Sequence, residues 1–155
     1  MALIQSPWAT GMLLPARPQT AFSTHSQLYI VDVPAAGFAA NDILELAILP
    51  PYARIVDATL VTAGGSLGAA TADIGLMSGT TGDVTNDDGS ARTVGTELFA
   101  AAALTGEILR LSKSAALLVD PTQKDRSIGV KFSAAVAAGA GKKIGLQLSI
   151  AQYQQ

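Results

Sequence analysis

From residue 27 to residue 153 the chain repeats one pattern: short runs of alternating apolar and polar side chains, broken by Gly, Pro or an Asn-Asp pair. A period of two buries one face of an extended strand and leaves the other wet. Residues 27–33 set Leu28, Ile30 and Asp32 against Tyr29, Val31 and Val33. Residues 43–49 align Leu44, Leu46 and Ile48, with Glu45 opposite. Pro50 and Pro51 offer no N–H and stop that strand. Residues 54–62 place Val56, Ala58 and Leu60 on one side and Asp57 and Thr59 on the other. Residues 71–78 turn Ile74 and Leu76 inward. Residues 126–134 align Ile128, Val130, Phe132 and Ala134. Residues 144–153 align Ile144, Leu146, Leu148 and Ile150.

Two segments depart from the pattern. Residues 96–104 read as a helix: Thr96 supplies a cap, Glu97 suits the helix dipole and an alanine run favours the state. Residues 107–120 fit two short strands or one helix. Strands are favoured, because residues 112–114 resemble a turn and Pro121 closes the segment. The result is seven or eight short strands and one short helix. Most connections are too short for crossover helices, so the strands pair antiparallel. The expected fold is mainly β, an antiparallel β-sandwich of jelly-roll-like type, with an open barrel as the alternative pattern.

Residues 1–26 form a separate unit ahead of the β domain of residues 27–155. Pro7, Pro15 and Pro18 disfavour helix and remove ladder donors, so this is an extended N-terminal arm. Trp8, Met12, Leu13 and Leu14 are too apolar for a free tail. The arm lies either on its own domain or on a neighbour. With Arg17, these four residues are the candidate contacts with a neighbouring subunit.

Composition removes whole function classes. The 155 residues include no cysteine and one histidine, His25, which excludes disulfides, thiolate chemistry and multi-histidine metal centres. Net charge is −2, so no nucleic-acid patch is indicated. No run of about 20 apolar residues free of Gly, Pro and charge marks a membrane span, and Pro7 and Gly11 break any signal-peptide pattern. Only 14% of residues are charged and mean hydropathy is +0.36. A surface so poor in charge is expected to be covered partly by other subunits.

The charge is also unevenly spread. Residues 1–91 hold the basic residues Arg17 and Arg54 among eight acids, whereas residues 92–155 hold eight bases and four acids. Pairing inside one fold accounts for this most simply. Head-to-tail attraction between copies is the alternative.

Candidate chemistry is sparse. Asp83, Asn86, Asp87, Asp88 and Gly89 offer oxygen ligands without EF-hand spacing, so they read as a solvated turn. Gly75, Gly79 and Gly82 lack the lysine of a phosphate loop and read as turn and bulge positions. Ser23 and Ser26 flank His25, yet no nucleophile-elbow pattern accompanies them. Lys142 and Lys143 read as a solvated loop or a strand guard. No catalytic residue, metal site or cofactor is expected.

Several strings, in order, resemble structural proteins of tailed bacteriophages. They are residues 42–58 (DILELAILPPYARIVDA), 73–79 (DIGLMSG) before an acidic glycine-rich loop, 95–99 (GTELF) before an alanine run, and 125–130 (DRSIGV) before an Ile-Gly-Leu strand at 144–146. Together they span roughly residues 27–152. The resemblance implies a virion protein of head decoration or cement type: small, β-rich, often trimeric, and seated on the capsid exterior over junctions of the major capsid protein after assembly in the host cytoplasm. It implies no catalytic residues, and residues 1–26 fall outside it. The alternatives are a tail or head-fibre attachment protein and a non-viral ligand- or glycan-binding β module.

Overall fold

The computed structural model describes residues 1–15, 17 and 23–152; Pro18 and Tyr153 fall outside them. Nine strands and one helix follow in order: β1 (Leu3–Gln5), β2 (Thr24–Asp32), β3 (Ile43–Leu49), β4 (Ala53–Ala63), β5 (Thr71–Leu76), β6 (Phe99–Ala103), β7 (Ile108–Arg110), α1 (Ser114–Leu117), β8 (Arg126–Phe132) and β9 (Lys143–Gln152). They form two sheets, ordered β1-β3-β8-β5-β6 and β2-β9-β4-β7. Apart from the added β1, this is the jelly-roll order, in which most connections cross from one sheet to the other. All pairings are antiparallel except β1 with β3.

The core fills the space between the sheets. Leu44, Leu46, Ile74, Ile128, Val130 and Phe132 from one sheet meet Tyr29, Leu60, Ile144, Leu146 and Leu148 from the other, none more than 2% exposed. Phe38 and Phe132 stack with ring centroids 4.4 Å apart. The alternation read from the sequence matches the inner faces of residues 126–132 and 144–150, but bulges at Glu45/Ala47 and Ile55/Asp57 break it in β3 and β4, where Ile55 is buried and Val56, expected beside Ala58 and Leu60, is exposed.

The expected helix at residues 96–104 is instead β6, the edge strand of the five-stranded sheet. Alanine's helix propensity is worth only tenths of a kcal/mol per residue, and the open edge of β5 offers this segment backbone partners it would otherwise lack. The intended helix signals are spent elsewhere. The Glu97 carboxylate accepts the Leu76 N–H at 3.0 Å, and Asp73 Oδ1 accepts the Ala101 N–H at 2.9 Å. The short helix lies at Ser114–Leu117, in the segment where strands were favoured, with Ala116 fully buried. A strand does precede it, at Ile108–Arg110.

The N-terminal segment lies on its own domain. β1 pairs in parallel with β3, matching Leu3 to Ile43 and Gln5 to Glu45. Ser6 is fully buried, its hydroxyl donating to the Leu46 carbonyl at 2.8 Å. A turn follows, with Gly11 N–H bonded to Trp8 O and Leu13 N–H to Pro7 O.

Strand direction sorts the loops to two ends. Residues 33–42, 64–70, 104–107 and 133–142 gather at one end. They are rich in Ala and Gly, with Asp42, Glu107 and Lys142 their only charges. The turn 50–52, the loops 77–98 and 111–125, and the segment after β1 gather at the other end, with most of the loop charge.

Candidate assembly surface

The outer face of β3 carries a charge that alternation alone would leave in water. Glu45 is fully buried because the 77–98 loop folds across that face. Its Oε1 accepts from Arg92 Nη1 at 2.9 Å, from the Gly82 N–H at 3.1 Å and from the Ser127 hydroxyl; its Oε2 accepts from Gln5 Nε2 at 2.9 Å. Arg92 also donates to the carbonyls of Ser78 at 2.7 Å and Asp83 at 2.9 Å. A buried charge is tolerable only when paired and hydrogen-bonded like this. One carboxylate thereby ties β1, β3, β8 and the long loop together.

Two glycines let the loop lie flat. Gly75 and Gly129 face each other across β5 and β8. A Cβ on Gly75 would stand 2.1 Å from Glu97 Oε2 and 2.5 Å from the Gly95 backbone; one on Gly129 would meet Met77 at 2.7 Å. Gly79 and Gly82 take positive φ, at 75° and 85°, as turn positions do.

The loop's acidic tip is a closed hairpin turn. Thr85 bridges Ala91, Asn86 N–H bonds Ser90 O, and Asp88 Oδ1 accepts from both the Ser90 hydroxyl and its N–H. Those two bonds hold the Asp88 carboxyl below its ordinary pKa. Among the described residues, no group of three or more His, Asp or Glu is placed to hold a metal ion. His25 lies on β2 with Nε2 at 2.8 Å from Ser23 Oγ.

Part of the uneven charge of the sequence is met inside the chain, where Glu45, Asp57 and Asp32 of the acidic part meet Arg92, Arg110 and Lys143 of the basic part. Five ion pairs among the described residues each join residues 1–91 to residues 92–155. They are Arg17–Asp125 at 3.1 Å, Glu45–Arg92 at 2.9 Å, Asp57–Arg110 at 3.5 Å, Arg54–Asp120 at 4.0 Å, and Asp32–Lys143. Lys143 therefore clamps the end of β2, while Lys142 donates to the Ala137 carbonyl.

The candidate contact residues separate into two kinds. Trp8 is turned inward, 8% exposed, and meets Tyr29 edge-on at 5.1 Å between ring centroids. Met12, Leu13 and Leu14 point out, 80%, 47% and 84% exposed. Arg17 reaches Asp125. Tyr52, Leu117 and Leu118 are exposed in loops at the same end of the sandwich, and Val84 is exposed on the long loop beside Met1 and Ile43. Monomers seldom leave large apolar side chains grouped in this way. Sequence reading singled out Met12, Leu13 and Leu14 by their apolarity next to prolines. It missed Tyr52, Val84, Leu117 and Leu118, which alternation could not distinguish from core.

No protein-family model and no curated protein matches the chain. Solved structures do. A chain in the capsid of Ralstonia phage GP4 is 36% identical with a TM-score of 0.86, covering 99% of this chain and 100% of that one. A chain of the cyanophage Pam1 capsid asymmetric unit is 18% identical with a TM-score of 0.55, covering 92% of this chain and 96% of that one. A chain of the acidic stable capsid of Helicobacter pylori bacteriophage KHP30 is 13% identical with a TM-score of 0.50, covering 85% of this chain and 90% of that one. The latter two share the fold. With the Ralstonia phage GP4 capsid chain, alike in sequence and in fold over the full length of both, this chain belongs to one family of bacteriophage virion structural proteins.

Proposed function

We propose that the protein is a capsid decoration protein, a cement subunit that sits on the capsid exterior, bridges neighbouring shell subunits of the major capsid protein and stabilises them. Its copies associate with one another, as trimers. The observation that carries this reading is the uneven distribution of exposed apolar groups. Six of the eleven exposed large ones among the described residues, Met12, Leu13, Leu14, Tyr52, Leu117 and Leu118, belong to loops at one end of the sandwich, while the loops of the opposite end are mostly alanine and glycine. A subunit that builds a shell needs adhesive surface around its perimeter; a subunit added to a finished shell needs one adhesive end. Many weak, identical contacts on a lattice add up by multivalency. The role is structural, with no reaction assigned to it.

In this reading Tyr52, Leu117 and Leu118 face the shell. Met12, Leu13 and Leu14 reach a neighbouring subunit, Trp8 anchors the turn that presents them, and Arg17 is tied to Asp125. The test is re-addition of purified protein to particles stripped of it. The double variant Leu117→Asp/Leu118→Asp is expected to fold and to lose occupancy. Wild-type occupancy by that variant would defeat the shell-facing assignment.

A further inference from the structure

In the turn between β3 and β4 one residue stands in a backbone conformation that its side chain disfavours. Residues 50–53 form a turn closed by the Ala53 N–H on the Pro50 carbonyl at 3.3 Å. Pro51 takes the second position, and Tyr52 takes the third with φ 58°. A turn with positive φ at that position calls for Gly or Asn, because a Cβ crowds the backbone in the left-handed region. Among the described residues, the other non-glycine positions with positive φ are Asn41, a residue type that tolerates this region, and Ala101, which has the smallest side chain. Tyr52 is the bulky exception.

The fold makes little use of the side chain that this strain presents. Tyr52 is 38% exposed and lies outside the core. Its ring meets no other aromatic ring, and its hydroxyl has no partner among the described residues. Its main chain is nonetheless held firmly. The Tyr52 N–H donates to the Thr122 carbonyl at 2.8 Å, and Arg54 pairs with Asp120 at 4.0 Å. These contacts set the turn beside the loop that carries the exposed Leu117 and Leu118. Tyr52 also borders an open groove of about 240 Å³ with Pro50, Pro51, Arg17 and Gln152, so a partner can close on the ring without displacing the chain's own atoms. Strain held against local preference marks a position kept for something other than the fold. We propose that Tyr52 is the anchor of the shell contact: its ring seats in an apolar recess of a shell subunit, and its hydroxyl donates to an acceptor there. Tyrosine suits that task, with a large rigid surface and few torsions to freeze. Leu117 and Leu118 beside it exclude water from the contact. This inference rests on the decoration reading above and assigns where its binding energy is concentrated.

The test pairs stability with binding. Tyr52→Gly and Tyr52→Phe are melted in solution and titrated onto particles stripped of the protein, beside wild type and Leu117→Asp/Leu118→Asp. Glycine relieves the left-handed strain, so Tyr52→Gly is expected to melt at or above the wild-type temperature. Its apparent affinity for particles is expected to fall at least about thirtyfold, as loss of an interface anchor does. Tyr52→Phe keeps the ring and loses one hydrogen bond, so its affinity is expected to fall about fivefold with the melting temperature unchanged. A melting temperature several degrees lower for Tyr52→Gly would mean that the domain's own packing holds the tyrosine, and would overturn the proposal. Near-wild-type affinity of Tyr52→Gly, with the leucine double variant failing to bind, would remove the anchor and leave the decoration reading standing. Wild-type affinity of Tyr52→Phe would contradict the hydroxyl contact. Failure of the wild-type protein itself to rebind would sink the decoration reading and this assignment with it.

Discussion

The Glu45 carboxylate meets the Arg92 guanidinium 2.9 Å away, with neither side chain more than 1% exposed. The pair stands at the point where β1, β3, β8 and the 77–98 loop converge. Glu45→Gln leaves Arg92 charged, buried and short of its partner. Loss of one member of a buried pair costs about 3–5 kcal/mol, so urea unfolding of the variant is expected to show a much lower midpoint. A midpoint within experimental error of wild type would show that the loop is held by other contacts.

Tyr29 links the two sheets. Its hydroxyl donates to the Ile48 carbonyl at 3.2 Å, and burial raises its pKa well above the ordinary value of about 10. The unfolded chain therefore loses this proton first. Stability from this group is intact below pH about 10 and falls as pH rises further. Tyr29→Phe is expected to cost about 1 kcal/mol at neutral pH and to unfold less steeply with alkali. Equal slopes for variant and wild type between neutral and strongly alkaline pH would refute the assignment.

Trp8 is the only tryptophan, so its emission reports the N-terminal segment alone. Because it is buried against Tyr29, fluorescence and far-ultraviolet circular dichroism are expected to report one unfolding transition. Trp8→Ala is expected to cost about 3–5 kcal/mol. A fluorescence change that precedes the loss of strand signal would mean that the segment detaches independently.

Gly75→Ala places a methyl group where Glu97 and the Gly95 backbone already stand. Rigid backbone cannot yield as a side-chain tip can, so a loss of about 1–3 kcal/mol is expected, visible as a lowered melting temperature. No change in melting temperature would mean that the 93–98 segment does not cross the sheet as closely as described.

How much of this was legible in the sequence depended on range. Residues 126–132 and 144–150 announced themselves because alternation is a local property, and burial of the inner face follows from it. Residues 96–104 misled for the complementary reason. Four alanines weakly favour helix, and the stronger claim of the unpaired β5 edge is set by residues far away in sequence. Glu45 was placed correctly on the outer face, yet nothing local showed that Arg92, 47 positions later, would bury it. Trp8 was recognised as needing a surface, and which surface was decided by its packing on Tyr29. Exposure of Leu117 and Leu118 was equally hidden, because apolar residues beside a four-residue helix look like core until the helix is seen to bury Ala116 instead.

The claim that the protein decorates the shell is tested most directly by counting and locating it on purified particles, by quantitative mass spectrometry together with electron cryomicroscopy. Binding across a repeating lattice predicts hundreds of copies, all outside the shell, at positions that span shell subunits. About a dozen copies or fewer, or density confined to a vertex or the tail, would contradict it.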